Sequence, residues 1–200
     1  MRFVALTLAL AAAGCHSASS APAPRGLVVH VSLATAPTTS TVAIASVALN
    51  LPALTAVSDR SAGDARATSS DVALALGDAT DLPLPSAPPG LYSAVDTQLD
   101  SATGIGLDVQ AVWNAARVHA TVASPPFDVG CPTPVRLDPG QKAELTLHAD
   151  PASWFDGLDL ADAVGDVDDN GIVISADDNG ELARTLVANV VASFTLDCTQ

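Results

Sequence analysis

Aromatic and basic residues are scarce in this chain of 200 residues. Aromatic residues make up 4% of it, and eight lysine and arginine residues stand against 22 aspartate and glutamate residues, which gives a formal net charge of −14 at pH 7. A surface of this charge repels nucleic acid, so the composition argues against a nucleic-acid partner. An aromatic sugar-binding platform would have to be built mainly from Tyr92, Trp113 and Trp154.

A long hydrophobic run is also missing. The apolar run Phe3–Leu10 has eight residues, whereas a membrane-spanning helix needs about 20. Arg2 precedes this run, and the small residues 11–14 follow it, directly before Cys15. A basic start, a short apolar core and small residues before a cleavage point are typical of an export signal.

This arrangement resembles a bacterial lipoprotein signal. The resemblance implies that residues 1–14 are a signal peptide that is removed, that the thiol of Cys15 is diacylated, and that the acyl chains anchor the protein in a lipid bilayer of the cell envelope. Two acyl chains give stable anchoring. In the enteric sorting pattern aspartate after the cysteine favours the inner membrane, so His16 favours the outer membrane. An ordinary secretory signal without lipid is the alternative.

The three cysteines fit an exported protein. With Cys15 committed to lipid, Cys131 and Cys198 remain, and an oxidising compartment favours a disulfide between them. Two free buried thiols, or part of a metal site, are the alternatives. The disulfide would fasten the C-terminus of the chain to the domain.

Behind the signal, the composition divides the chain into a spacer and one domain. Residues 16–25 are one histidine, one arginine, proline and small residues, a composition that cannot bury a core and is typical of a spacer. We therefore predict that residues 15–25 form the lipidated cysteine and its spacer. Residues 26–200 are predicted to form a single domain, which is long enough for a hydrophobic core.

Alternating apolar and polar residues predict about seven short strands in this domain. They cover residues 27–33, 41–51, 72–76, 91–99, 105–113, 118–122 and 143–147. Short strands joined by glycine- and proline-rich connections favour an antiparallel β-sandwich, a mostly β fold. The polar stretch 58–70 is a predicted hairpin tip and the proline-rich stretch 78–90 a predicted loop.

Two further elements follow from local patterns. Asn114-Ala115 is a predicted turn that joins two of the strands into a hairpin. Apolar residues at helical spacing predict one C-terminal helix over residues 180–192, packed on the sandwich, with Asn179 as its N-cap. Residues 194–198 are predicted to return in extended form to the disulfide.

Part of the chain is similar to a family. The opening residues 26–37, the strand 42–51 and the stretch from Leu84-Pro85 to Pro89-Gly90-Leu91-Tyr92-Ser93 resemble an uncharacterised family of bacterial exported lipoproteins with a prealbumin-like or immunoglobulin-like β-sandwich. The resemblance covers about residues 26–149. It implies the sandwich fold, and it brings no activity with it.

An acidic motif near the C-terminus predicts a calcium loop. Asp166, Asp168 and Asn170 alternate and are followed by Gly171, as in the opening of such a loop. Ile172 would offer its carbonyl oxygen, and Asp177 takes the twelfth position, where glutamate is usual. The alternative is an acidic hairpin turn, because aspartate, asparagine and glycine are also turn residues. Between residues 150 and 181 there is no lysine or arginine to pair with the carboxylates.

The remaining candidate residues are three histidines, and the sequence shows no pattern typical of a catalytic site. His30, His119 and His148 lie on predicted polar strand faces, where two of them could meet as zinc or copper ligands. The sequence contains no Gly-x-Ser-x-Gly turn. We therefore predict no catalytic residues and no enzyme, with calcium as the one candidate cofactor.

The predicted function follows from the tether and the fold. It is a membrane-tethered, non-enzymatic binding or structural module of the bacterial envelope, acting on an unidentified protein or polysaccharide partner. The alternative is a hydrolase, or a hydrolase accessory, acting on envelope polymers. A subunit of a surface assembly is a third hypothesis.

Overall fold

The computed structural model describes residues 26–36, 41–58, 66–69, 71–163, 165–166 and 171–199. These residues form fourteen strands and one α-helix. In chain order the strands are β1 (Gly26–Leu33), β2 (Val42–Leu51), β3 (Thr55–Ser58), β4 (Arg66–Thr68), β5 (Val72–Leu74), β6 (Ala79–Leu84), β7 (Gly90–Thr97), β8 (Leu107–Trp113), β9 (Ala116–Val122), β10 (Phe127–Leu137), β11 (Lys142–Ala149), β12 (Gly165–Asp166), β13 (Gly171–Ile174) and β14 (Phe194–Thr199). The helix α1 is Gly180–Ala192, and a 3₁₀ turn covers Pro151–Ser153.

The strands form three sheets that pack together. The first sheet has the order β14-β11-β1-β6, the second β12-β13-β9-β8-β2-β5, and the third β10-β7-β3-β4. The predicted mostly β sandwich with a single C-terminal helix is confirmed. Two pairings, β1 with β11 and β9 with β13, are parallel rather than antiparallel. Alternation along a strand marks its buried face and says nothing about the direction of its neighbour, so these pairings could not be predicted.

The inward faces of all three sheets join one hydrophobic cluster. Leu27 and Leu145 of the first sheet, Leu107 of the second and Tyr92 of the third are fully buried, as is Leu186 of α1. β1 lies between two partner strands, and six of its eight residues are buried. It is therefore a central strand, and its two residues that are only partly buried, His30 and Ser32, lie on the face away from the core cluster.

Two of the strands that were not predicted, β6 and β10, contain proline. Proline cannot donate to a sheet ladder and is tolerated on edge strands and at bulges. β6 holds Pro83 and is an edge strand that pairs with β1, so the loop predicted over residues 78–90 is wrong in its first half. β10 is also an edge strand, and its register shifts between Gly130 and Val135, across two prolines.

The hairpin and the helix lie where they were predicted. Asn114 and Ala115 have φ angles of 46° and 68° and turn β8 into β9, the conformation that a two-residue hairpin requires. α1 matches the predicted bounds. Asn179 precedes it but has a left-handed φ of 57° and makes no side-chain capping bond. Its side-chain amide instead donates to the carbonyl oxygen of Val173 at 2.6 Å, which ties the helix start to β13.

Tyr92 fixes the start of β7. Its side chain is fully buried, and its hydroxyl donates a hydrogen bond of 2.7 Å to the carbonyl oxygen of Pro88, four residues upstream. This contact has the form of a tyrosine corner, a feature of Greek-key sandwiches. The proline-glycine stretch before Tyr92 therefore forms the turn that brings the carbonyl oxygen of Pro88 to the Tyr92 hydroxyl.

We expect Tyr92→Phe to lower the free energy of unfolding by about 1 kcal/mol, because the hydrogen bond to the carbonyl oxygen of Pro88 is lost. Burial also raises the pKa of Tyr92. The folded state thus favours the neutral phenol, so this contribution to stability is complete below the ordinary pKa near 10 and is lost as pH rises through the raised value. Urea unfolding at pH 7 and pH 10.5 measures both effects.

Tyr92 is the single tyrosine of the chain, so phenolate absorbance at 295 nm reports on it alone. The control is Tyr92→Phe, in which this signal should vanish. A folded protein whose phenolate appears at the ordinary tyrosine pKa would contradict the prediction.

Candidate functional site

A surface groove of about 590 Å³ lies between α1 and the segment that leaves β9. It is lined by Gly104, Thr121, Val122, Ala123, Pro125, Ala176, Gly180, Ala183, Arg184, Val187 and Ala188. Most of these side chains are small and apolar. The groove exists because alanine and glycine stand where larger side chains would fill the space.

One face of α1 forms a wall of the groove. Gly180, Ala183, Arg184, Val187 and Ala188 recur at the spacing that places side chains on one helix face. The neighbouring face of the helix carries buried residues that enter the core. Ala183 belongs to both sets, so the groove lies along the edge of the face by which α1 completes the sandwich.

Arg184 is the one ionisable residue among those that line the groove. Its side chain is 70% exposed and pairs with Glu181, one helical turn earlier. The guanidinium group therefore stands at the solvent edge of an otherwise apolar surface.

A second cavity of about 390 Å³ lies on the outer face of the second sheet. Its polar lining consists of Gln110, Arg117 and His119, which lie on β8 and β9. The Nε2 atom of His119 lies 3.0 Å from the Oδ1 atom of Asp108 on β8. This cavity is smaller and more polar than the groove beside α1.

The predicted histidines are separated between two sheets. His30 and His148 lie on the adjacent strands β1 and β11, and His119 lies on β9. The Nδ1 atom of His30 lies 2.6 Å from Oδ1 of Asp81, and the Nδ1 atom of His148 lies 2.9 Å from the hydroxyl of Ser32. Within the described residues no group of three histidine, cysteine or acidic side chains is placed to hold a metal ion.

A small charged cluster surrounds His30. Its Nε2 atom lies 3.5 Å from Oε2 of Glu144, and Glu144 also pairs with Lys142. The hydrogen bond from Lys142 holds the pKa of Glu144 below its usual range, with a smaller contribution from His30. These residues are partly exposed strand positions, and the cluster forms a polar face of the first sheet.

The cysteine pair predicted from the sequence comes together. The sulfur atoms of Cys131 and Cys198 lie 2.03 Å apart, which is disulfide bonding distance. Cys131 belongs to β10 and Cys198 to β14, so the bond links the third sheet to the first. Four residues earlier on each strand, the rings of Phe127 and Phe194 lie 5.3 Å apart. The C-terminal strand is thus joined to β10 at two points.

The predicted calcium loop is described in part. Asp168 and Asn170 lie outside the described residues, as does the side chain of Asp166. The backbone of Asp166 pairs with Gly171 in the hairpin of β12 and β13. Ile172 is buried, with 7% of its surface exposed, and Asp177 is exposed before α1. The residues between the two strands lie outside the described part of the chain, and calcium binding stays a prediction.

We expect millimolar calcium to raise the midpoint of thermal unfolding if the acidic loop holds the ion. A ligand that binds the native state alone stabilises it by about 2.7 kcal/mol at one hundred times its Kd. Calorimetry in calcium and then in chelator measures the shift. The double variant Asp166→Ala, Asp168→Ala should abolish it. Equal midpoints in calcium and chelator for the unchanged chain would return the loop to an ordinary turn.

The predicted signal and lipidation site lie outside the described residues. This applies to residues 1–14, to Cys15 and to the spacer up to residue 25. Among the described residues, no helix is both long enough and apolar enough to cross a membrane.

The chain matches no protein-family model, no curated protein and no solved structure. The resemblance to exported lipoproteins therefore stays a hypothesis that rests on the sequence.

The groove beside α1 was not predicted from the sequence. Ala183 and Val187 belong to the core-facing stripe of α1, and the exposed Ala188 beside them is the one apolar residue of this wall that the core does not explain. The second wall comes from residues 121–125, nearly sixty positions earlier in the chain. The fold brings these residues next to α1, and the helical spacing of apolar residues in α1 does not predict that contact.

Proposed function

We propose that this protein is a non-enzymatic binding module tethered to the bacterial envelope through lipid on Cys15. The observation that carries the binding role is the apolar groove beside α1, with the cation of Arg184 at its edge. A concave, mostly apolar surface with few polar groups is the usual form of a small-ligand site. The function is therefore to hold a ligand near the membrane.

The start of the domain suits a tether. Gly26 is the first residue of β1, and its amide donates to the carbonyl oxygen of Gln141 at 3.0 Å. β1 is held on one side by β11 and on the other by β6. A pull on the spacer would therefore act on a central strand, which resists it through two ladders of hydrogen bonds. The predicted spacer of ten residues could extend about 30 Å at roughly 3 Å per residue.

The cysteine pair supports the envelope location. Disulfides form and persist in oxidising compartments such as the periplasm and are rare in the bacterial cytosol. Cys131 and Cys198 lie at bonding distance, which fits a chain that is exported before it folds. The outer membrane is the proposed site, on the evidence of His16.

The groove also favours a binding module over the hydrolase alternative. Hydrolysis of envelope polymers would need carboxylates or an activated nucleophile facing the ligand. The lining of the groove instead offers mostly alkyl surface, one guanidinium group and the hydroxyl of Thr121, with no carboxylate among its residues. The apolar lining supports retention of a ligand without a chemical step.

We expect the wild-type chain to fractionate with membranes and to incorporate labelled fatty acid in a bacterial host. Cys15→Ser should remain unlabelled and appear in the soluble envelope fraction, because the acceptor thiol is gone. Matched pulse labelling and fractionation of the two chains measure the change. A wild-type protein that stays unlabelled and soluble would contradict the tether.

A further inference from the structure

The walls of the groove suit an alkyl chain better than a peptide. On one side lie Ala183, Val187 and Ala188 of α1, and on the other Val122 and Pro125. The backbone of a helix is already paired within the helix, so this wall offers few partners to the polar backbone of a peptide. Burying unpaired polar groups is costly, whereas an alkyl chain carries none.

The size of the groove fits a single small ligand. Its volume of about 590 Å³ lies within the range of roughly 300 to 1,000 Å³ typical of small-molecule sites. A single-chain amphiphile is a ligand of this size class.

The charge at the edge selects the headgroup. Arg184 is the cation of the groove, and its present partner Glu181 has a side chain that is 88% exposed. An ion pair between two exposed side chains contributes little to stability, so a ligand anion can take the place of Glu181. The planar guanidinium group binds a carboxylate through two parallel hydrogen bonds.

We propose that the groove binds a fatty acid, with the alkyl chain on the wall of α1 and the carboxylate on Arg184. This deepens the binding-module proposal and rests on it, since it names the ligand class of the same site. Fatty acids occur at the membrane to which Cys15 would tether the domain.

The test uses the full chain with Cys15→Ser, which removes its own lipid, and isothermal titration with decanoate below its micellar concentration. We expect saturable binding of decanoate. Arg184→Gln should weaken it about tenfold, because a charge-assisted hydrogen bond is lost. Ala188→Leu should weaken decanoate and decan-1-ol alike by filling the groove. Circular dichroism confirms that each variant remains folded.

The matched control is Arg117→Gln, which removes an exposed arginine on the face of the second sheet and should leave decanoate binding unchanged. Decan-1-ol, which has the same chain and no charge, should bind equally to the Arg184→Gln variant and its parent. No saturable decanoate binding would overturn the proposal. Equal losses in the Arg184 and Arg117 variants would also overturn it, because the attraction would then be general.

Failure of this proposal and failure of the tether are distinguishable. If decanoate binds the Cys15→Ser chain while the wild type is unlabelled by fatty acid in cells, the groove ligand stands and the tether fails. If the wild type is lipidated and decanoate does not bind, the tether stands and the fatty-acid site is overturned.

Discussion

Gly106→Ala is expected to lower the free energy of unfolding by more than about 4 kcal/mol. A Cβ atom at this position would lie 2.0 Å from the carbonyl carbon of Leu99 and 2.4 Å from the backbone nitrogen of Asp100. Both are backbone atoms, so no side-chain rotation can relieve the overlap. Over-packing a core typically costs 1 to 3 kcal/mol through side-chain shifts, and displacing backbone costs more.

Hydrogen bonds hold the two segments at this distance. Gly106 donates to the carbonyl oxygen of Val122 at 3.0 Å and accepts from the amide of Asn50 at 2.7 Å. Asp100 donates to Asn50 at 3.2 Å. Separating Gly106 from Leu99 therefore breaks contacts that tie the connection between β7 and β8 to β2 and β9. Against a total stability of about 5 to 15 kcal/mol, the loss should exceed about 4 kcal/mol.

Urea unfolding followed by tryptophan fluorescence measures this loss. The matched control is Gly130→Ala, where the added Cβ would lie 3.7 Å from the carbonyl oxygen of Ser93, an ordinary contact. That variant should unfold within about 0.5 kcal/mol of the wild type. An unfolding midpoint for Gly106→Ala equal to that of Gly130→Ala would show that the connection is free to move.

Local patterns in the sequence predicted the local structure. Alternation located β1, β2, β8, β9 and β11, and helical spacing gave the bounds of α1. Gly106 also carried a signal, because glycine within a strand pattern often marks a close approach of backbone. The segment that approaches Gly106 depends on how the connection after β7 folds back. The alternation of apolar and polar residues along the strands does not predict that path.

Local sequence patterns could not predict which distant strands pair with each other. β1 and β11 are separated by more than one hundred residues and run parallel. The sequence of each one predicts a half-buried strand and does not indicate its partner. Edge strands with proline, such as β6, resemble loops in sequence because proline is also a common turn residue. The same limit applies to the candidate site, whose groove joins α1 to residues 121–125, although its cation, Arg184, was visible in the sequence.

Replacing both Cys131 and Cys198 with alanine is expected to lower the free energy of unfolding by about 4 kcal/mol. The bond closes a loop of 67 residues, and a cross-link of this span removes about that much chain entropy from the unfolded state. The loop contains β11, α1 and β14, so the unfolded chain without the bond gains freedom across a third of the protein.

The native fold should survive the double replacement. Phe127 of β10 packs on Phe194 of β14 with ring centres 5.3 Å apart, and β14 keeps its antiparallel ladder with β11. The variant should therefore unfold cooperatively at lower urea concentration, since the principal change is in the unfolded state. Circular dichroism at zero urea checks that the folded spectrum is retained.

Reductant provides the matched control, because it opens the same bond without changing the sequence. In the Cys15→Ser chain, dithiothreitol should lower the urea midpoint of unfolding to the value of a chain that also lacks Cys131 and Cys198. The midpoint of that chain without cysteines should not change when dithiothreitol is added. Thiol titration in denaturant without reductant should find no free thiol in the Cys15→Ser chain. Two free thiols, or an unfolding midpoint that dithiothreitol does not change, would show that the cysteines are close but unbonded. The phenylalanine contact and packing would then hold β14 to β10.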